Sequence, residues 1–232
     1  MSEQKMNLGT PIAIVAAGAL IAGALYFAGG AGSPSTGPAG APDAGQPAVP
    51  IAEVQADDHI VGNADAKVVI VEYSDTECPF CKNHHETLKE ITSKYEASEV
   101  AWVYRNFPIP QLHPNAPKQA EALECAAELG GNEGFWAYTD RLYEVTPSNN
   151  GLSMDELPKI ATHVGLDAAA FTQCLDSGDM QERVDADYNE VIAAGGRGTP
   201  HNILLVNGEQ YPLEGGQSVE GLSQIIDQLL AQ

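Results

Sequence analysis

Residues 66–81 read AKVVIVEYSDTECPFC, and they hold two structural elements and the join between them. The run from Ala66 to Tyr73 is dense in β-branched side chains, which suit a strand buried on both faces. Directly after it, Ser74-Asp75-Thr76-Glu77 leads into Cys78-Pro79-Phe80-Cys81. Proline is favourable at the first position of a helix, where its missing N–H would have no partner anyway, and Leu88, Ile91 and Tyr95 continue at helical spacing. The pattern predicts strand, turn, cysteine, helix.

Moving outward, Val100 to Phe107 gives a second strand, closed by Pro108 and Pro110. The stretch from Asn115 to Gly196 reads almost wholly as helices. Ala116 to Leu129 ends at Gly130-Gly131, and Gly134 to Val145 presents Phe135, Tyr138 and Leu142. Ser153 and Glu156 have capping-box spacing before Leu157, Ile160 and Val164. Two further helical segments carry Phe171 with Cys174, and Val184, Tyr188 and Val191. The β pattern returns at Ile203 to Val206, turns at Asn207-Gly208, the strongest short hairpin signal, and continues from Gln210 to Leu213. An amphipathic helix through Leu222, Ile225, Ile226 and Leu229 follows. The order is βαβ, helical block, ββα: an α/β fold with a small sheet and a helical insertion over about residues 115–196.

In the other direction, the segment Leu8 to Gly32 is uncharged, apolar and long enough to cross a hydrocarbon core of roughly 30 Å as a helix. Lys5 precedes it and no Lys or Arg follows until Lys67, which puts the C-terminal bulk outside by the positive-inside bias. An uncleaved anchor is expected over residues 1–32; a cleaved signal peptide, with a late A-x-A site at Ala39 and Ala41, is the alternative. Residues 33–57, rich in Gly, Ala, Pro and Ser, read as a disordered linker with a reach of roughly 30 Å, and residues 58–232 as the folded domain. The net charge of -21, from 32 acidic against 11 basic side chains, repels phosphate backbones and argues against nucleic acid as a partner.

A CxxC pair can be half a zinc site or a redox pair. A thiolate at a helix N-terminus lies beside unpaired backbone N–H groups and the positive end of the dipole, so its pKa falls. Cys78 is thereby the candidate nucleophile, and Cys81, one turn further in, the resolving thiol. His84 and His85 follow closely, and Cys78, Cys81 and His85 would share a helix face. Structural zinc sites usually draw ligands from two separated pieces of chain, and His113, His163 and His201 offer no matching spacing, so no metal is expected. Cys125 and Cys174 lie in two different helical segments. Outside the cytosol an even cysteine count favours pairing, and once Cys78 and Cys81 pair locally these two remain for a structural disulfide.

Strand, CPFC, helix, helical block and then Gly198-Thr199-Pro200 before a hairpin resembles the DsbA-like branch of the thioredoxin superfamily, over roughly His59 to Gln232. The resemblance implies a thioredoxin-like fold in which Thr199-Pro200 is cis, faces Cys78 and helps hold substrate backbone, with Pro79 and Phe80 on the same substrate side. An ordinary trans proline at strand entry is the alternative. Glu72 matches the position of an acid that moves the proton of the buried cysteine; a surface glutamate on an edge strand is the competing account. Asn207 comes seven positions after Pro200, two more than the family pattern, which preserves strand phase but opens the way to a bulge at His201 and Asn202. His201 is expected as a solvated loop-end residue.

The resemblance implies an extracytoplasmic thiol:disulfide oxidoreductase that introduces disulfides into exported proteins with free thiols. It needs no cofactor beyond the cysteine pair and is reoxidised by a quinone-linked membrane partner. A monomer is expected. A reductase or isomerase, and from a different class a metal-binding module, are the alternatives.

Overall fold

A computed structural model describes residues 50–231. The segment Leu8 to Gly32 and residues 33–49 of the expected linker lie outside the described residues; among those described, no helix is long and apolar enough to cross a membrane. The elements run β1 (His59–Val61), β2 (Val68–Ser74), α1 (Pro79–Lys94), β3 (Val100–Asn106), α2 (Ala116–Val145), a 3-10 turn (Met154–Glu156), α3 (Leu157–His163), α4 (Ala168–Ser177), α5 (Gln181–Ala193), β4 (His201–Val206), β5 (Glu209–Glu214) and α6 (Val219–Leu230).

The five strands form one sheet in the order β1-β3-β2-β4-β5. β2 is its centre, parallel to β3 and antiparallel to β4, and all seven of its residues are buried. That is what its β-branched run requires, since a strand covered on both faces cannot alternate polar and apolar. Strand periodicity divides the residues. Val69, Val71 and Tyr73 join Ala101, Val103, Phe107, Ile203 and Val191 of α5 in one core cluster. Glu72 and Ser74 point the other way; across the ladders Glu72 pairs with Tyr104 and Asn202, Ser74 with Asn106, and Ile70 on the same face with Trp102.

The helical block is inserted between β3 and β4. α2 contains a break at Gly131 (φ 62, ψ -159), a left-handed φ that a glycine adopts without a Cβ penalty, so the two helices expected around Gly130-Gly131 meet in one kinked run. Cys125 of α2 and Cys174 of α4 form a disulfide with an S–S distance of 2.02 Å. Asn207 and Gly208 have φ of 52° and 81°, the two-residue hairpin turn their sequence encodes. Among the described residues, 50–219 make one compact unit; α6, in the other, buries Leu222, Ile225, Ile226 and Leu229 along one side.

Four expectations require correction. Residues 50–57 are not tether: Ile51 is buried in the core cluster, its N–H and C=O are bonded by the Gln210 side chain at 2.9 Å each, and Arg105 donates to the carbonyls of Ala52 and Glu53. Ser153 makes no side-chain cap bond, and the backbone N–H of Glu156 is taken by the Ser153 carbonyl instead, so the capping box does not form. His201 is a buried strand residue opposite Tyr73, not a solvated loop end. No bulge follows Pro200, because β4 pairs with β2 without interruption from His201 to Val206.

Candidate active site

β2 ends at Ser74, and the chain turns through Asp75-Thr76-Glu77 into Cys78, the N-cap of α1, with Pro79 at the first helical position. Two buried carboxylates hold this turn. Asp75 accepts from the backbone N–H of Glu77 (2.8 Å) and Ile109 (2.8 Å), and its Oδ2 lies 2.9 Å from Nδ1 of His113. Glu77 accepts from the Gln119 side chain and from the backbone of Asn150, while its carbonyl takes the N–H of Asn149 (2.8 Å). The loops after β3 and after α2 are thus bound to the approach to Cys78.

The two thiols differ. Cys78 is 5% exposed and Cys81 fully buried; neither is in a disulfide in this structure. Cys78 Sγ lies 3.5 Å from the carbonyl oxygen of Thr199, to which it donates only while protonated, and the Thr199–Pro200 peptide is cis. The backbone N–H of Asp75 points at Cys81 Sγ, also 3.5 Å away. Hydrogen bonding from the Cys81 thiol, helped by Thr199 and the backbone N–H groups of Cys81 and Phe80, lowers the Cys78 pKa to about 6 against partial burial. Burial, and then the negative charge on Cys78, pushes Cys81 the opposite way. One thiol is an anion at neutral pH, and the other holds its proton.

Glu72 is on the central strand and fully buried, which removes the edge-strand account. The Ser74 hydroxyl donates to Oε1 at 2.8 Å and the Trp102 indole N–H to Oε2 at 3.0 Å. Burial raises its pKa to about 7 in spite of both bonds, and its charge is felt by Cys81. The site therefore holds a buried carboxyl of raised pKa whose charge acts on Cys81. Phe80, between the cysteines, is 68% exposed, an apolar side chain standing at the mouth of the site.

The histidines after the motif go to separate partners. His84 Nε2 is 2.9 Å from Oδ1 of Asn202, and burial lowers its pKa to about 4; Asn202 in turn donates to the carbonyl of Gly215 (3.2 Å). His85 Nε2 is 2.7 Å from Asp140 on α2. His84 thus ties α1 to the strand that follows Pro200, and His85 ties it to the insertion. No group of three or more His, Cys, Asp and Glu side chains converges as a metal site among the described residues. Sequence reasoning missed Asp75, Glu77, His113 and Asn202. Their partners lie 38, 42 and 118 residues away in the chain, and no local pattern encodes them.

The chain matches the family model described as Thioredoxin over residues 55–228. Among curated relatives it is 31% identical over 169 residues to Na(+)/H(+) antiporter NhaA 3 of Salinispora tropica, covering 73% of this chain and 24% of that protein. It is 32% identical over 143 residues to Na(+)/H(+) antiporter NhaA of Herminiimonas arsenicoxydans, covering 62% and 21%. The chain thus spans about a quarter of the length of the curated relatives it matches. Among solved structures, DsbA2 of Pseudomonas aeruginosa is 27% identical with a TM-score of 0.64, covering 76% of this chain and 96% of that one. BdbD from Bacillus subtilis, at 18% identity and a TM-score of 0.69, covers 81% and 100% and shares the fold. A cis proline beside an N-capping cysteine, on a sheet interrupted by a disulfide-closed helical block, agrees with these matches: the chain belongs to the thioredoxin family, and its fold is similar to that of DsbA2.

Proposed function

We propose that the chain is a thiol:disulfide oxidoreductase working as a dithiol oxidase on exported proteins, with its domain held outside the cell membrane by the N-terminal apolar segment. The opposed ionisation of Cys78 and Cys81 carries this reading: a thiolate stabilised at a helix N-terminus stabilises the reduced pair, and a pair with a stable reduced form is an oxidant.

In the disulfide form, a substrate thiolate attacks Sγ of Cys78, the more exposed of the two sulfurs. The Cys78–Cys81 bond breaks and Cys81 leaves with the electron pair, taking the proton held on Glu72. A second substrate thiolate then attacks the substrate sulfur of the mixed disulfide, and Cys78 departs as a thiolate. Two electrons pass from the substrate dithiol to the cysteine pair. Of the two substrate protons, one makes good the loss from Glu72 and the other goes to solvent, because Cys78 stays ionised at neutral pH. Thr199, Pro200, Pro79 and the exposed Phe80 present the surface on which substrate chain lies. A quinone-linked membrane oxidase withdraws the electrons again.

The deciding measurement is the reduction potential of the Cys78/Cys81 pair, together with the rate at which oxidised full-length protein oxidises a reduced, unfolded model protein. A potential above the roughly -180 mV of an isomerase, with fast oxidation, is expected. A potential near the roughly -270 mV of a reductase, with fast reduction of the same protein's disulfides, would move the assignment to a reductase. Protease added to intact cells should reach the domain; full protection would sink the extracytoplasmic placement.

A further inference from the structure

Glu72 has neighbours that the steps above leave without a role. The Ser74 hydroxyl donates to its Oε1 at 2.8 Å, the Ser74 oxygen is 3.0 Å from the Tyr143 hydroxyl, and that hydroxyl is 3.5 Å from the Tyr104 hydroxyl. All four side chains are 2% exposed or less. They come from three elements: β2, β3 and the inserted helix α2.

A hydroxyl has one proton to give and two lone pairs with which to accept. While Glu72 is ionised, Ser74 spends its proton on the carboxylate, so Tyr143 donates to Ser74 and Tyr104 is left to donate across the longer gap to Tyr143. Once Oε1 is protonated the direction reverses: the carboxyl donates to Ser74, Ser74 to Tyr143, and Tyr143 to Tyr104. Both charge states are satisfied in one frame of heavy atoms. The other oxygen has no such freedom, because the Trp102 indole can only donate and keeps Oε2 an acceptor.

We propose that Ser74 and Tyr143 are positioning residues for the proton exchange between Glu72 and Cys81, forming a reversible hydroxyl chain that makes Oε1 the proton-bearing oxygen and satisfies the buried carboxyl in both of its charge states. The proposal rests on the reading of Glu72 as proton donor and acceptor for Cys81. It gives the insertion a part in the redox chemistry, since Tyr143 belongs to α2. Burial raises the Glu72 pKa and the Ser74 bond is the strongest influence opposing it, ahead of Trp102. The other titratable groups facing the carboxyl are Cys78 and Cys81 from α1, Tyr104 from β3 and Tyr143 itself, with the His85 ring packed on those of Tyr143 and Trp102; β4 contributes the uncharged Asn202.

The test is a carboxyl-carbon NMR titration of Glu72 in the reduced full-length protein, with the resonance assigned from Glu72→Gln, beside the pH profile of substrate oxidation. Ser74→Ala should raise the titration midpoint by about one pH unit, because a buried carboxylate loses a donor that favours its charged form. Tyr143→Phe keeps the ring and its packing and should raise the midpoint by less, and Ser74→Thr should restore it. The pH profile of oxidation should move in step. Midpoints unmoved or lowered in both Ser74→Ala and Tyr143→Phe overturn this inference while leaving the role of Glu72 standing. A pH profile unchanged in Glu72→Gln removes that role and the inference with it.

Discussion

The chain carries two cysteine pairs that share an element type and differ in nearly everything else. Cys78 and Cys81 sit in the first turn of one helix, whereas Cys125 and Cys174 join two helices of the insertion across a separation of 49 residues. In the first pair the neighbouring thiol above all, helped by Thr199 and the backbone N–H groups of the helix terminus, stabilises an anion on one sulfur while burial denies it to the other. Around the second, Cys125 is buried and Cys174 half-buried between apolar helices, with no thiol left to ionise. Chain entropy separates them too, because a loop of two residues constrains the unfolded chain far less than a loop of about fifty. Placement thus suits one pair to exchange and the other to hold.

The most severe way to break the comparison is to remove one sulfur of the first pair. Cys81→Ser should accumulate mixed disulfides with substrate proteins, since attack on Cys78 still occurs but the internal route of escape is gone, and Cys78→Ser should accumulate none. Steady-state oxidation should fall at least a thousandfold in both. Non-reducing electrophoresis after acid quenching distinguishes them. Equal trapping by the two variants would mean that Cys78 is not the nucleophile.

Removing the second pair should act on stability and leave the chemistry alone. Cys125→Ala with Cys174→Ala releases a long loop, which costs up to about 4 kcal/mol on the chain-entropy model. Denaturant unfolding of the variant should show that loss, with the Cys78 thiolate titrating as in the parent protein. Mild thiol reductant should open Cys78–Cys81 well before Cys125–Cys174, as peptide mapping would show. A variant of full stability that fails to oxidise substrate would reverse the roles given to the two pairs.

The part of this comparison legible in the sequence is the local part. Proline after Cys78, the β-branched run before it and Asn207-Gly208 each act within a few residues, so the strand-cysteine-helix unit and the hairpin can be read in order. Glu72 is legible only through the family resemblance, and its burial follows from β2 lying at the centre of the sheet. What escaped depends on contacts made after the chain folds back. The Asp75–His113 pair, the His84–Asn202 tie and the Ser74–Tyr143 contact join residues whose types say nothing about one another. Ile51 was lost among Ala and Pro, though Ile51 and Val54 are the first apolar side chains of the packed domain. Ser153 shows the converse failure: the capping-box spacing is present, but a 3-10 turn takes the N–H that the cap would have used.

The smallest expected effect separates the pairs by pH. In the reduced protein the Cys78 pKa is held at about 6, below the roughly 8.5 of an unfolded thiol. A depressed pKa contributes stability that is fully present above the unfolded value and is lost as pH falls through the folded one. The reduced protein should therefore gain stability between about pH 6 and pH 8.5, on the order of 1–2 kcal/mol once screening around a partly exposed sulfur is allowed for. Cys81, shifted upward, works against the gain only above that window. The oxidised protein has no thiol to titrate at either position, and Cys125–Cys174 is a disulfide in both forms. Glu72 and Asp187, both raised to about 7 by burial, are present in both redox forms, so their shared contribution largely cancels in the difference between the two. Urea midpoints of reduced and oxidised protein at pH 5.5 and pH 8.5 give that difference directly. A gap between the two forms that stays constant across this range would show that the Cys78 anion is not stabilised by the fold, and the contrast between the two cysteine pairs would then rest on accessibility alone.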